Sequence, residues 1–480
     1  MSENNNAENA SEEISLYQAS KRIHPKWTTG FFSKLRIAAV LITQFVFFIL
    51  PWFNYDGRQA VLFDIADRHF YLFGLVLLPG DLIFLSGLLF LSAFGLFWWT
   101  TIAGRLWCGY ACPQTVYTEI MMWFDRFFEG DRAARLKLEK APWDARKIRI
   151  KALKYLTIFL FCTWVGLTFI GWFSPIREVF RDFFNFSLSG TQWFAAIFYG
   201  FITFLMAHIM REQVCKYMCP YARFQSAMFD RDTLIISYDE ERGEPRGIRK
   251  KNQDNQNLGD CVNCTLCVQV CPVGIDIRDG LQYECIGCAA CIDACDEVMD
   301  KLGKPRGLVR YTTEAALEKE YPENKILSRM KRPRVMGYGV ILAIVLVALI
   351  IGLFNRQTLR VDIIKDRGVM VRENTKGWTE NSYTFRILNA SDKIQVLNAS
   401  VLDLEGAEIT GIQKDLAILP GEPLSLPVQV AIPPEEYNSN DEGTPKKRHQ
   451  KIRFVFSYHE QGDEEVRQFE EKAAFIRNID

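Results

Sequence analysis

Eight cysteines between Cys261 and Cys295 constrain this chain more than any other feature. Cys261, Cys264, Cys267 and Cys271 form a C-x2-C-x2-C-x3-C run followed by Pro272, and Cys285, Cys288, Cys291 and Cys295 repeat the spacing. Three thiolates two residues apart let a short loop wrap a cuboidal iron–sulfur cluster, and the fourth ligand comes from the other run. The spacing therefore predicts one [4Fe–4S] cluster on Cys261, Cys264, Cys267 and Cys295. A second is predicted on Cys285, Cys288, Cys291 and Cys271. Zinc sites use two C-x2-C pairs across a longer loop rather than triplets, and disulfides belong to oxidising compartments. One departure is local: Asp296 follows Cys295 where Pro272 follows Cys271.

At 480 residues the chain has room for two or three domains. Its 57 basic and 57 acidic residues balance, so no overall charge points to nucleic acid. All 13 cysteines lie between Cys108 and Cys295, which suggests a reducing compartment for the middle of the chain and an oxidising one for the tail. Before Glu13 the chain is polar, without a signal-peptide pattern, and is expected to be disordered.

Five apolar runs are long enough to span a bilayer: Ile37 to Phe53, Leu82 to Ala103, about Tyr155 to Phe173, about Trp193 to Met210, and Val335 to Phe354. The run Phe70 to Leu78, ending at Pro79-Gly80, is too short to cross. Trp98 and Trp99 suit an interfacial belt. The stretch from Gly104 to Lys151, between the second and third spans, carries ten basic residues. The loop before the second has only Arg58 and Arg68, and that between the third and fourth only Arg177 and Arg181. The positive-inside rule then predicts a multi-pass protein with a cytoplasmic N-terminus and cysteine-rich segment and with its C-terminus on the opposite side of the membrane.

The first four spans contain a repeat. Two spans lead into Arg105-Leu-Trp-Cys108-Gly-Tyr110-Ala-Cys112-Pro113, and two more into Arg211-Glu-Gln-Val-Cys215-Lys-Tyr217-Met-Cys219-Pro220. If each motif closes a helix, thiols four apart share a face and the proline ends the turn. Cys108, Cys112, Cys215 and Cys219 are then either buried structural thiols or a soft site for Cu(I), zinc or iron–sulfur species. Met206, His208, Met210 and Met218 stand nearby, as further soft ligands or as packing. Cys162 reads as packing; His24, His69, His449 and His459 read as surface residues. Arg105 and Arg211 could offset thiolate charge or anchor at the interface.

From about Thr358 the pattern changes to short alternating segments, such as Tyr383–Leu388, Ser425–Val430 and Lys451–Ser457, with turns at Glu405-Gly406 and Pro420-Gly421. About seven strands in this length predict an immunoglobulin-like β-sandwich, with Pro433 to Arg448 as a long loop. The fold expected is a multi-domain membrane protein. A polar tail (1–33) precedes a four-span α-helical domain (34–230) and a dicluster ferredoxin-like domain (231–330). A fifth span (331–355) and a periplasmic all-β sandwich (356–480) follow.

With these motifs in place, the chain resembles the FixG/CcoG family of cytochrome oxidase accessory proteins over nearly its whole length. The segments Trp107–Thr115 and Cys215–Arg223 and the ligand run Cys261–Cys295 carry the resemblance. It implies a cupric reductase-type oxidoreductase that converts Cu(II), its substrate, to Cu(I) for assembly of cbb-type haem–copper oxidases. Cys108, Cys112, Cys215 and Cys219 would be the catalytic, copper-handling thiols, and the eight ferredoxin cysteines would feed them electrons. The C-x3-C-P pairs also occur in quinol-dehydrogenase membrane ferredoxins. A quinol-linked electron-transfer subunit and a non-enzymatic assembly scaffold therefore stay open. The implied partners are the lipid bilayer, copper ions, an oxidase assembly factor or copper chaperone and an unidentified electron donor. Nucleic acid is not among them, and a homodimer is compatible with the chain.

Overall fold

The computed structural model describes residues 22–477, apart from 249–257, 367–370, 434–448 and short gaps at 56, 67, 79–80, 330, 392, 405, 422 and 463–464. The disordered tail expected before Glu13, the turns expected at Pro79-Gly80 and Glu405, and nearly all of the loop expected from Pro433 to Arg448 lie outside the described residues.

Among the described residues, five helices are long and apolar enough to cross a membrane: Phe31–Trp52, Leu82–Ala103, Ala145–Ile170, Gly190–Met210 and Pro333–Phe354. The second has the limits expected. It stops because Gly104 takes a left-handed φ of 56° and lies so close to the Leu234 carbonyl that a Cβ would sit 2.5 Å from it. The third begins about ten residues before its apolar run, where the Asp144 carboxylate accepts from Lys147 N at 2.7 Å and starts the helix within the basic segment.

The chain divides into two compact units. The first comprises Met1–Ile42, Trp99–Phe161 and Ile202–Arg332. Here strands Ile235–Tyr238 and Val309–Thr312 pair antiparallel, Ile235 opposite Thr312, beside the helices Leu266–Gln269 and Ala290–Lys301. Val270, Val273, Ile275, Ile277, Ile286 and Ile292 belong to the core on which the cysteine runs pack. The segment before the first apolar helix is tied to this unit. Lys26 N donates to the Gln269 carbonyl at 2.8 Å, and His24 Nε2 bonds Glu139 at 2.9 Å. His24 is buried, not the surface residue its polar surroundings suggested, because Arg132 holds its carbonyl at 2.6 Å.

The second unit comprises Thr43–Trp98, Cys162–Phe201 and Pro333–Asp480. The run Phe70 to Leu78 is no helix: His69–Leu72 and Leu75–Leu77 form a three-stranded sheet with Val61–Asp64. Cys162 is buried. Among the described residues from Leu359 to Ile476, nine strands form two sheets. Thr379–Asn389 lies between Pro423–Ile432 and Leu359–Lys365 in one, and Gln395–Leu402 pairs His449–Glu460, itself paired to Arg467–Ile476, in the other. Along Thr379–Asn389 alternate residues are buried, the period of a strand with one covered face. Tyr383, Phe385, Ile387, Phe454, Phe456 and Phe475 fill the space between the sheets. The two strands beyond the expected seven are explained by pieces of two or three residues such as Arg372–Glu373 and Leu416–Ile418, too short to show an alternation. In the same unit Asp81, fully buried at the start of the second apolar helix, pairs with Arg356 and Arg360 at 2.7 Å each.

Candidate iron–sulfur and thiol site

The two cysteine runs wrap their loops in the same way. Asn263 and Thr265 flank Cys264 with φ of 53° and 58°, and Gly287 and Ala289 flank Cys288 with 69° and 60°. Left-handed residues alternating with ordinary ones turn backbone N–H groups toward one point, a concavity that suits an anionic cluster. A cavity of about 390 Å³ is lined by Cys261, Cys264, Cys267 and Cys295. Another, of about 330 Å³, is lined by Cys271, Cys285, Cys288 and Cys291, with Cys267 on the wall it shares with the first. Cysteines of both runs thus line each cage: Cys295 joins three of the first run in one, and Cys271 and Cys267 join three of the second run in the other. The local turn expected at Asp296 is absent: the helix Ala290–Lys301 runs on through it, and its carboxylate accepts from Gly307 N at 2.9 Å.

The donor set fits a cluster better than an ion. Among the described residues no three His, Cys, Asp or Glu side chains converge on a single-ion site, whereas a cuboidal cluster holds its four thiolates farther apart. Burial pushes the Cys271 thiol up to about 11 and those of Cys285 and Cys295 up to about 12. Thiolates in these cages need cationic compensation, which bound iron supplies.

The two C-x3-C-P motifs are built alike. Cys112 and Cys219 each stand just before a helix whose first residue is proline, Pro113–Glu129 and Pro220–Met228. An α-turn running into that proline would press its ring against the carbonyl four residues back. Both motifs close five residues back instead. Cys112 N donates to Trp107 O at 3.0 Å and Cys219 N to Val214 O at 2.8 Å. In the second motif the simple α-turn expected from the spacing is replaced by a wider π-helical one, Val214–Met218, a device common at functional sites; in the first, Leu106–Tyr110 stays α-helical and the Trp107 carbonyl accepts from Ala111 N as well, at 3.0 Å. Side chains from each half tie down the other. Gln114 Nε2 donates to the carbonyls of Met206 at 2.8 Å and Arg211 at 3.1 Å, and the Cys108 thiol bonds buried Gln225 at 3.4 Å. The four thiols lie close enough to act on one another. Burial, then Cys112 and Cys108, push the Cys215 thiol up to about 12; burial, then Cys112, push Cys108 up to about 11.

The first motif lies directly on the second cage. A Cβ on Gly109 would stand 2.9 Å from the backbone N and Cα of Cys288, so only glycine permits this approach. The Arg105 guanidinium donates to the Cys285 carbonyl at 3.3 Å, and Tyr311 Oη donates to Gly287 O at 2.7 Å. Cys108 and Cys215 both pack against the core that carries the cages. The halves are unequal, for Tyr110 is 8% exposed and its counterpart Tyr217 61%.

Residues 210–314 match a 4Fe-4S dicluster domain, 85–130 a 4Fe-4S binding domain, and 349–478 the IG-like fold at the C-terminus of FixG. Over 473 residues the chain is 34% identical to the nitrogen fixation protein FixG of Rhizobium meliloti, covering 89% of this chain and 90% of that one. The chain belongs to the FixG family. Protein RdxB of Cereibacter sphaeroides is 36% identical over 448 residues, with 90% and 91% covered. A FixG-related protein from Vibrio parahaemolyticus, known from a crystal structure, is 22% identical and covers 26% of this chain and 100% of its own, at a TM-score of 0.21.

In this FixG-family chain the second motif rests on buried charge. Asp125, fully buried, takes ion pairs from Arg211, from Arg135 at 2.8 Å and from Lys154 at 3.2 Å. Burial alone would raise its carboxyl, but Arg211, Arg135 and Lys154 hold it far below the usual carboxylate range. Arg211 is thus committed to Asp125 rather than to the thiols. Of the four soft residues singled out beside the motif, His208 is buried between the rings of Tyr155 and Phe204, at 5.6 and 5.4 Å. Met206 lends only its carbonyl to Gln114, and Met218 is half exposed.

Sequence reasoning missed a cleft of about 410 Å³ whose walls include Cys215, Cys288, Glu119, Met122 and Glu212, and to which Met206, His208, Met210 and Met218 do not contribute. Its signal was in the sequence. Thr115, Thr118, Glu119 and Met122 recur at three- and four-residue spacing, one face of the helix Pro113–Glu129.

Proposed function

We propose that this chain is a membrane-bound iron–sulfur oxidoreductase that reduces Cu(II) to Cu(I) for assembly of cbb-type haem–copper oxidase. Cys261, Cys264, Cys267 and Cys295 would hold one [4Fe–4S] cluster, and Cys271, Cys285, Cys288 and Cys291 the other. When bound, these clusters supply single electrons; each Cu(II) takes one and leaves as Cu(I). The thiols of Cys108, Cys112, Cys215 and Cys219 bind the metal, since soft ligands favour the reduced ion. The observation that carries this reading is the seating of Gly109 on the Cys288 backbone, which sets the copper-binding motif against one cage. The Lys and Arg bias of the loops supports a cytoplasmic N-terminus and cages and a periplasmic tail.

The test is oxidation of the anaerobically reduced protein by Cu(II). Changing Cys215 and Cys219 together to Ser should abolish copper-driven bleaching of the cluster absorbance with iron content unchanged. Cells carrying that variant should lose haem–copper oxidase activity, partly restored by added copper. Bleaching at the wild-type rate would make the paired thiols structural and put a quinol-linked role ahead.

A further inference from the structure

The loop of the second cage is held from outside by side chains that ligate nothing. We propose that Tyr311, with Tyr110 of the first motif behind it, is a positioning residue that raises the reduction potential of the second cluster, so that an electron settles on the cage nearest the thiols. This rests on the reading that both cages hold [4Fe–4S] clusters, and it adds residues outside every ligand set.

Three observations carry it. Tyr311 stands on the strand Val309–Thr312, opposite Ile236, and its hydroxyl donates to the Gly287 carbonyl at 2.7 Å. The Gly287 N–H in turn bonds the Cys285 sulfur, so the hydroxyl fixes a residue that itself donates to a ligand. Hydrogen bonds to cluster sulfurs favour the more negative, reduced state and raise the potential. The Tyr110 hydroxyl, buried in the first motif, faces that of Tyr311 and finds no other hydrogen-bond partner among the described residues. The counterpart Tyr217 is exposed, so this contact belongs to one half alone. The charges point the same way. Arg105 donates to the Cys285 carbonyl and has no ion pair among the described residues, whereas Arg278 beside Cys267 is paired with Asp276 at 2.5 Å. In the first cage Asp296 also acts on Cys295. Added negative charge is therefore favoured more in the second cage than in the first. Packing does not account for the hydroxyl, because a phenylalanine would meet the Phe32 ring, 5.4 Å from that of Tyr311, equally well.

The test is a redox titration of the full-length iron-loaded protein in detergent, read on its two paramagnetic signals, which Cys271→Ser and Cys295→Ser assign to the cages. Tyr311→Phe should lower the reduction equilibrium of the second-cage signal about tenfold, equivalent to about 59 mV for one electron. Iron content and the first-cage signal should not change. Tyr110→Phe should lower the same signal several-fold, and Tyr217→Phe should move neither. A ring-fluorinated tyrosine placed at position 311 is a stronger donor and should raise the second-cage midpoint, a readout that does not depend on removing the hydroxyl. A second-cage shift below twofold in Tyr311→Phe, equal shifts in both signals, or a midpoint unmoved by the fluorinated ring would overturn the proposal. Failure of Cu(II) to bleach the wild-type clusters, with the Tyr311→Phe shift still present, would instead remove the copper reading and leave this role standing.

Discussion

The carboxylate of Asp293 caps the first apolar helix, accepting from the backbone N–H of Ser33 at 2.7 Å. It also accepts from Phe32 N at 3.2 Å, and it lies on the helix Ala290–Lys301 between Cys291 and Cys295. The helix that supplies cysteines to both cages therefore ends the free N–H groups of a candidate membrane span. Removing such a cap costs about 1 kcal/mol. Asp293→Ala should speed amide exchange at Phe32 and Ser33 by roughly the corresponding fivefold, with iron content retained. Unchanged protection at those amides would show that the cap does not hold the two together.

Gly109 is the point of closest approach between the first motif and the second cage. Any side chain there must push the motif away from the Cys288 backbone, since its Cβ would meet atoms at 2.9 Å. Displacements of this size cost ~10- to 100-fold in rate where reacting groups must be positioned. Stopped-flow mixing of reduced Gly109→Val with Cu(II) should show that slowing, with the iron content of wild type. A wild-type rate would mean that electrons leave by another face.

The crossed cages make a specific demand on iron analysis. Wild-type protein purified without oxygen should carry about eight iron and eight sulfide per chain. Cys271→Ser should damage the cluster of the second cage, and Cys295→Ser that of the first, each visible as loss of one of two paramagnetic signals. Stoichiometric zinc in place of iron would sink the assignment.

Acid should act through Asp125. Its folded-state carboxyl is held below the unfolded value, so its contribution is present above the unfolded pKa of about 3.9 and is lost as pH falls below that. Glu129 is shifted the same way: burial opposes the shift, and hydrogen bonds from Lys151 and Lys154 produce it. Thermal unfolding in detergent should gain nothing from these two groups between about pH 8 and 5 and should fall below about pH 4. Asp125→Asn, which removes the carboxylate partner of buried Arg211 while Arg135 and Lys154 keep Glu129, should cost about 3–5 kcal/mol at neutral pH.

Membrane orientation can be read with fusions. A phosphatase after Asp480 should be active and one after Asp300 inactive; the reverse would invert the assignment drawn from the loop charges.

Some of this was legible in the sequence because it is local. Leu82–Ala103 showed both its limits, since Asp81 and Gly104 break the apolar run at each end. The cysteine grouping was expected from spacing, because three of the four ligands expected for each cluster sit within seven residues. What was hidden depends on contacts between distant segments. Ala145–Ile170 started early because a cap and not hydropathy begins it. The segment leading into the second motif is tied down by Gln114 from the first half, through the carbonyls of Met206 and Arg211. Ser33 and Asp293 are 260 residues apart. Tyr311 was passed over because only packing shows which hydroxyl reaches the loop of a cage.

The five-residue closure of both C-x3-C-P motifs has one more consequence. Each residue of an α-helix turns the chain by about 100°, so deleting one residue between Cys108 and Cys112, or between Cys215 and Cys219, would swing the second thiol more than a quarter-turn round the axis. The same chain thus uses two cysteine intervals that cannot be interchanged. The shorter one bends a loop into a bowl; the longer one, braced by a proline, sets two sulfurs one above the other at the end of an apolar helix.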